Sequence, residues 1–253
     1  MFIVRIIVNA LIMAVEVAAI VGVAYLGFAY PLVFASVTAA LALALGLGLE
    51  YARLKNELPF YFDRPMPKTS MLLSVVAFGE AASKALLAGV VAVLTVSGTD
   101  RTRLLYEAIV FAVTLYVAVN MLRWLAHGVG ARPARWGYFR IAPPLGLVFS
   151  LGLTALVVLG LMSSPSLLDI GKKAILETAP RPTLAQASEL LFLFKQWFDG
   201  TIVAVLSGLV GPTTAKILGI FLSVNVLSGF VIAVYAVVIT EVALALEDRL
   251  LPG

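Results

Sequence analysis

Three ionisable side chains, Glu16, Glu80 and Lys84, fall near the centres of long apolar runs in a chain of 253 residues. Charge is expensive in hydrocarbon, so such residues are rare there. They face a bundle interior or a water-filled cavity and mark ion routes or contacts with partner helices. Glu80 and Lys84 are four apart, which puts them on one helical face with the acid N-terminal to the base. Gly79 and Ser83 beside them are small enough to admit a second helix at close range. Arg5, Asn9 and Glu16 share a face of the first apolar run and form one polar stripe from its N-terminal end toward its middle.

The chemistry this pattern permits is a polar pathway. Glu16 would be a carboxylate that exchanges a proton or cation, Asn9 would lie along its approach, and Glu80 with Lys84 would be a paired gate or counter-ion. A structural role competes with it. Glu80 and Lys84 would then satisfy each other, and Glu16 would bond to a neighbouring helix or a partner subunit. Secondary candidates are Glu107, Asn120, Arg123 and Glu241, nearer the ends of their runs, where long side chains reach water. Lys216 follows the helix-breaking sequence Gly211-Pro212-Thr213-Thr214, and Asn225 lies in the last apolar run. Broken helices leave backbone groups free to line a substrate site.

Much other chemistry is excluded. With no cysteine there is no disulfide, iron–sulfur cluster or thiolate metal site, and a single histidine, His127, forbids histidine-cluster metal sites. H-E-x-x-H, G-x-S-x-G and Walker A patterns are all missing, so nothing recommends an enzyme, and no cofactor or metal is expected. The net charge of +4 comes without a basic run interleaved with aromatics, so nucleic acid is not an expected partner. The expected partners are the lipid bilayer and either other membrane subunits or further copies of the chain.

Composition dictates the elements that must position these residues. Hydrophobic residues make up 62% of the chain and charged residues 13%, against about 45–50% and 25% in soluble domains. Such a chain cannot cover a water-soluble surface, and its solvent is a bilayer. The expectation is an all-α polytopic bundle forming one membrane domain over residues 1–253. Its spans are placed at about 2–28, 31–50, 71–97, 104–125, 141–162 and 215–246. The first reads as a retained signal anchor. Residues 51–70, with Pro59, Pro65 and Pro67, read as a loop, and Pro143 and Pro144 as the opening of the fifth span. No internal repeat stands out.

Residues 164–211 read differently. Ser166–Asp169 and Thr183–Gln186 have helix-capping spacing and open mixed polar and apolar segments suited to the membrane surface. Residues 201–211 make a helix of only about 16 Å, too short to cross. The preferred reading is a surface helix plus a re-entrant half-helix, giving six spans. The alternative is a full crossing at 188–211, giving seven and placing Lys195 and Asp199 inside the membrane. Basic residues set the orientation. With the N-terminus inside, nine fall on the cytoplasmic side: Arg5, Arg53, Lys55, Arg64, Lys68, Arg123, Arg132, Arg135 and Arg140. A cytoplasmic (inner) membrane with the N-terminus inside is therefore expected. The function expected is a transporter or channel for a small ion or solute, and the alternative is a non-catalytic membrane subunit or scaffold of a larger complex.

Overall fold

The computed structural model describes residues 2–61, 71–136, 138–162 and 183–250. Helices carry the chain, with no strand among the described residues. In chain order they are α1 (Phe2–Ala29), α2 (Pro31–Tyr61), α3 (Met71–Thr95), α4 (Arg101–Val129), the single turn α5 (Pro133–Trp136), α6 (Tyr138–Val158), α7 (Leu184–Val210) and α8 (Pro212–Leu222). A 3-10 turn at Val224–Leu227 then leads into α9 (Ser228–Leu250). Seven segments are long and apolar enough to cross a membrane, α8 and α9 counting as one. This is an all-α helical membrane protein.

Several boundaries differ from expectation, each for a local reason. α2 does not stop at Glu50 but continues to Tyr61. Arg53 binds Glu50 one turn behind and Glu57 one turn ahead, and Leu54 packs with Leu73 and Ala77 of α3. α4 extends at both ends because both ends are capped. The Asp100 side chain accepts from the Thr102 N–H, and Gly130, at φ 65°, returns its N–H to the Ala126 carbonyl. α6 begins at Tyr138, so Pro143 and Pro144 lie within its second turn rather than opening it.

The region after residue 183 departs most. Thr183 and Gln186 form the expected capping box, but the helix they start runs unbroken for 27 residues to Val210. The short half-helix at 201–211 is therefore the second half of α7. The capping sequence at 166–169 lies outside the described residues. Gly211, at φ 84°, then turns the chain, and the long run that follows is interrupted at 223–227, not continuous over 215–246. The Asp199 carboxylate accepts from the Ser223 hydroxyl and the Val224 N–H, while Val203 packs on Gly219. These pairings step in opposite senses along the two helices, so α7 and α8 form an antiparallel hairpin.

α9 is the central helix. Val231 through Val237, Ile239, Thr240 and Ala243 are all buried, as befits a helix surrounded by others. It meets α6 at two glycines: a methyl group on Gly229 would overlap the Ala142 carbonyl oxygen, and one on Gly146 would overlap that of Val226. In the middle of the bundle Phe34 stacks on Tyr235, with ring centres 5.5 Å apart, and meets Phe111 edge-on at 5.8 Å. Phe111 meets Phe149 in the same way. The Tyr235 hydroxyl is satisfied within this layer by Thr38 at 3.0 Å.

The bundle has two distinct ends. Asn9 and Met13 of α1, Arg123 and His127 of α4, and Glu247 and Asp248 of α9 surround one cleft, so the N-terminal half of α1 and the C-terminal turns of α9 lie together. The α3–α4 connection marks the opposite end. There Ser188 and Glu189 of α7 accept from Gly98 and Thr99, and Ser228 of α9 accepts from Thr95. The α7–α8 hairpin thus starts and finishes beside the same end of α3.

Candidate functional site

Glu16 is not a solitary carboxylate. It lies on the face of α1 that carries Ile12 and Ile20, four residues to either side, and all three are buried. α4 brings a guanidinium nitrogen of Arg123 to 2.9 Å from Glu16 Oε2. The other terminal nitrogen of Arg123 pairs with Glu247 Oε1 on α9. One planar cation therefore bridges two carboxylates from two different helices. Among the described residues Glu16 Oε1 and Arg123 Nε have no hydrogen-bond partner though buried, which is uncommon for polar atoms in a folded interior.

Around Arg123 opens a cleft of about 450 Å³, lined by Asn9, Met13, Arg123, His127, Glu247 and Asp248. His127, beyond the span placed at about 104–125, belongs to the last turns of α4. Its Nδ1 faces the Arg123 carbonyl oxygen at 2.8 Å and its Nε2 faces Glu247 Oε2 at 3.0 Å. A carbonyl oxygen only accepts, and an ionised carboxylate only accepts. A neutral ring donates to one of the two at a time, and its tautomer decides which.

Glu80 and Lys84 occupy a different place. They do not mainly satisfy each other: Lys84 Nζ is 3.9 Å from Glu80 but pairs closely with Glu50 of α2. Arg53 completes the cluster, 3.0 Å from both Glu50 and Glu80 and 3.1 Å from Glu57. Lys84 also lies over the Phe139 ring of α6 at 4.9 Å. Glu50 is buried, whereas the side chains of Glu80 and Arg53 are 35% and 45% exposed. The ladder ties α2 to α3 on an outer flank of the bundle and does not join the Glu16 cleft.

A third group of charges sits at the far end. Glu107 is buried and paired with Arg103 at 3.2 Å, its other oxygen lacking a partner. Arg103 also donates to the Ser97 carbonyl and covers the Phe192 ring. Lys195 of α7, 4% exposed, donates to the Leu94 carbonyl at the end of α3, where the helix dipole favours a cation. The remaining candidates stay apart. Asn120 is exposed and bonds to Tyr116 of its own helix. Lys216 is exposed and makes no ion pair among the described residues. Asn225 is held by Ser223 inside the 3-10 turn, and Glu241 accepts from the Ala134 N–H of α5.

Sequence reasoning therefore passed over Glu50, Arg53, His127, Lys195, Asp199 and Glu247. The signal for some was present: Glu50, Arg53 and Glu57 have the three- and four-residue spacings of helical ion pairs. Among the described residues no group of three or more His, Asp or Glu is placed to hold a metal ion. Comparison with protein-family models, with curated proteins and with solved structures finds no match.

Proposed function

We propose that this protein is a membrane transporter or channel for a small ion or solute, and that the Glu16 cleft is its point of access from one side. The observation that carries the reading is a buried carboxylate with an unpartnered oxygen, next to an open polar cleft, in a helical membrane protein. Buried ionisable groups of this kind mark substrate and proton routes. Beyond the cleft the aromatic layer of Phe34, Phe111, Phe149 and Tyr235 fills the bundle. A route from the cleft to the far-end charges is therefore closed in this conformation, which favours a gated carrier over an open pore.

In the bilayer the proposed arrangement has six crossings, α1, α2, α3, α4, α6 and α9, with both chain ends on the cytoplasmic face of an inner membrane. Two features support it: the N-terminal half of α1 and the C-terminal turns of α9 share one end of the bundle, and the α7–α8 hairpin leaves from and returns to the opposite end. With the N-terminus inside, the positive-inside rule assigns the nine basic residues to that same face.

A second reading, a membrane subunit of a larger complex, is favoured by the half-exposed ladder of Arg53, Glu57 and Glu80 on the outer flank of α2 and α3, which suits charged residues of a neighbouring helix. Purification from native membrane followed by reconstitution separates the two. A carrier moves ions or solute in liposomes as the isolated chain. A subunit brings partners through solubilisation, leaves liposomes silent, and loses those partners when Arg53 and Glu80 are neutralised.

A further inference from the structure

We infer that the cleft binds a small organic cation, one carrying a guanidinium or primary ammonium group. This deepens the transport reading and rests on it for physiological meaning, but binding is measured separately from flux. Three observations lead to it.

The first is charge. Glu16, Glu247 and Asp248 gather around Arg123 and His127. Glu16 is not part of the lining but sits on Arg123 directly behind it, and with it the acids outnumber Arg123 and a protonated His127 by one, so the cleft favours a cation. The second is the present occupant of the carboxylates. Arg123 places one terminal nitrogen on Glu16 and the other on Glu247, so the two acids are already spaced for a planar N–H donor. Asp248 lines the same cleft and makes no ion pair among the described residues. It offers an incoming cation its first carboxylate, next to Glu247. The third is shape. About 450 Å³ lies within the range of small-molecule sites, and Met13 supplies an apolar wall for a short alkyl body. No three-carboxylate or histidine arrangement suited to a divalent metal accompanies it among the described residues.

In this arrangement Arg123 is a tethered competitor. A cationic guest engages Asp248 and Glu247, and the Arg123 guanidinium gives up Glu247 while retaining Glu16. The unpartnered Arg123 Nε and Glu16 Oε1 are the groups able to take up new contacts as it moves.

The test is ligand binding to the full chain in lipid nanodiscs, at constant ionic strength, by calorimetry and thermal unfolding. The probes are methylguanidinium, butylammonium, tetramethylammonium, sodium and butyrate. Methylguanidinium and butylammonium should bind and raise the unfolding temperature. Tetramethylammonium, which has no N–H donor, sodium and butyrate should not. Asp248→Asn should weaken the binding about tenfold or more, the loss of one charge-assisted hydrogen bond, and Glu247→Gln should do the same. Should Glu247→Gln fail to fold, Asp248→Asn alone decides, since Asp248 has no ion pair to lose among the described residues. Equal responses to all the monovalent cations, or affinities unmoved in Asp248→Asn, would overturn the inference. Binding without flux would overturn the transport reading and leave this one standing. Flux of an inorganic ion without organic-cation binding would do the reverse.

Discussion

Arg123 of α4 and Glu16 of α1 meet at 2.9 Å although 107 residues separate them in the chain. The pair sits where α1, α4 and α9 converge, and Glu247 contributes the third charge. Removing one partner of a buried ion pair strands the other, at a cost of about 3–5 kcal/mol, whereas removing both is far milder. Arg123→Ala should therefore destabilise the fold by about that amount. The double variant Glu16→Gln/Arg123→Ala should recover a large part of it. A double-mutant cycle from unfolding in mixed micelles checks this, and strictly additive losses would contradict the pairing.

On α2 and α3 the ranking of acids is the reverse of what their positions in the sequence imply. Glu50 is buried under Lys84 and Arg53, while Glu80 is 35% exposed. Glu50→Gln should cost several-fold more stability than Glu80→Gln, which should lie within about 1 kcal/mol of wild type, as exposed pairs do. The comparison needs only the two unfolding midpoints.

The glycine contact between α6 and α9 makes a prediction about packing. Gly229→Ala places a methyl group into the Ala142 carbonyl and should cost about 1–3 kcal/mol. Gly208 in α7 has nothing near its absent side chain, so Gly208→Ala should be neutral or stabilise by up to about 1 kcal/mol through helix propensity. Equal effects at the two sites would mean that the helices do not touch there.

Topology is open to a direct chemical reading, because the chain has no cysteine of its own. Single cysteines at Arg5, Arg101 and Arg249 can be probed in sealed vesicles with an impermeant thiol reagent. With six crossings, Arg5→Cys and Arg249→Cys react from the same side and Arg101→Cys from the other. A seventh crossing by α7 would group Arg249 with Arg101.

Helical character and the membrane environment were legible in the sequence because they depend on composition and local periodicity. The Thr183–Gln186 capping box was legible for the same reason. The full length of α7 was not, because Lys195 and Asp199 interrupt its apolar pattern. Their partners, the Leu94 carbonyl and the Ser223–Val224 turn, are distant in sequence. Glu16 stood out through its burial cost, and it is buried. Arg123 was only a secondary candidate and Glu247 did not stand out, since both lie near span ends, where charge is unremarkable and only the tertiary fold brings them to Glu16. For Glu80 and Lys84 the four-residue spacing concealed Glu50, the stronger partner of Lys84, 34 residues away.

Flux through the isolated chain tests the central claim most directly. The protein, purified and reconstituted alone in sealed liposomes, is given in turn a proton gradient, alkali-metal gradients and an organic-cation gradient, beside Glu16→Gln protein at matched density. The account predicts wild-type flux of at least one of these well above empty liposomes, reduced about tenfold or more in Glu16→Gln. Liposomes that stay silent with correctly folded wild-type protein, or flux indifferent to Glu16→Gln, would contradict it.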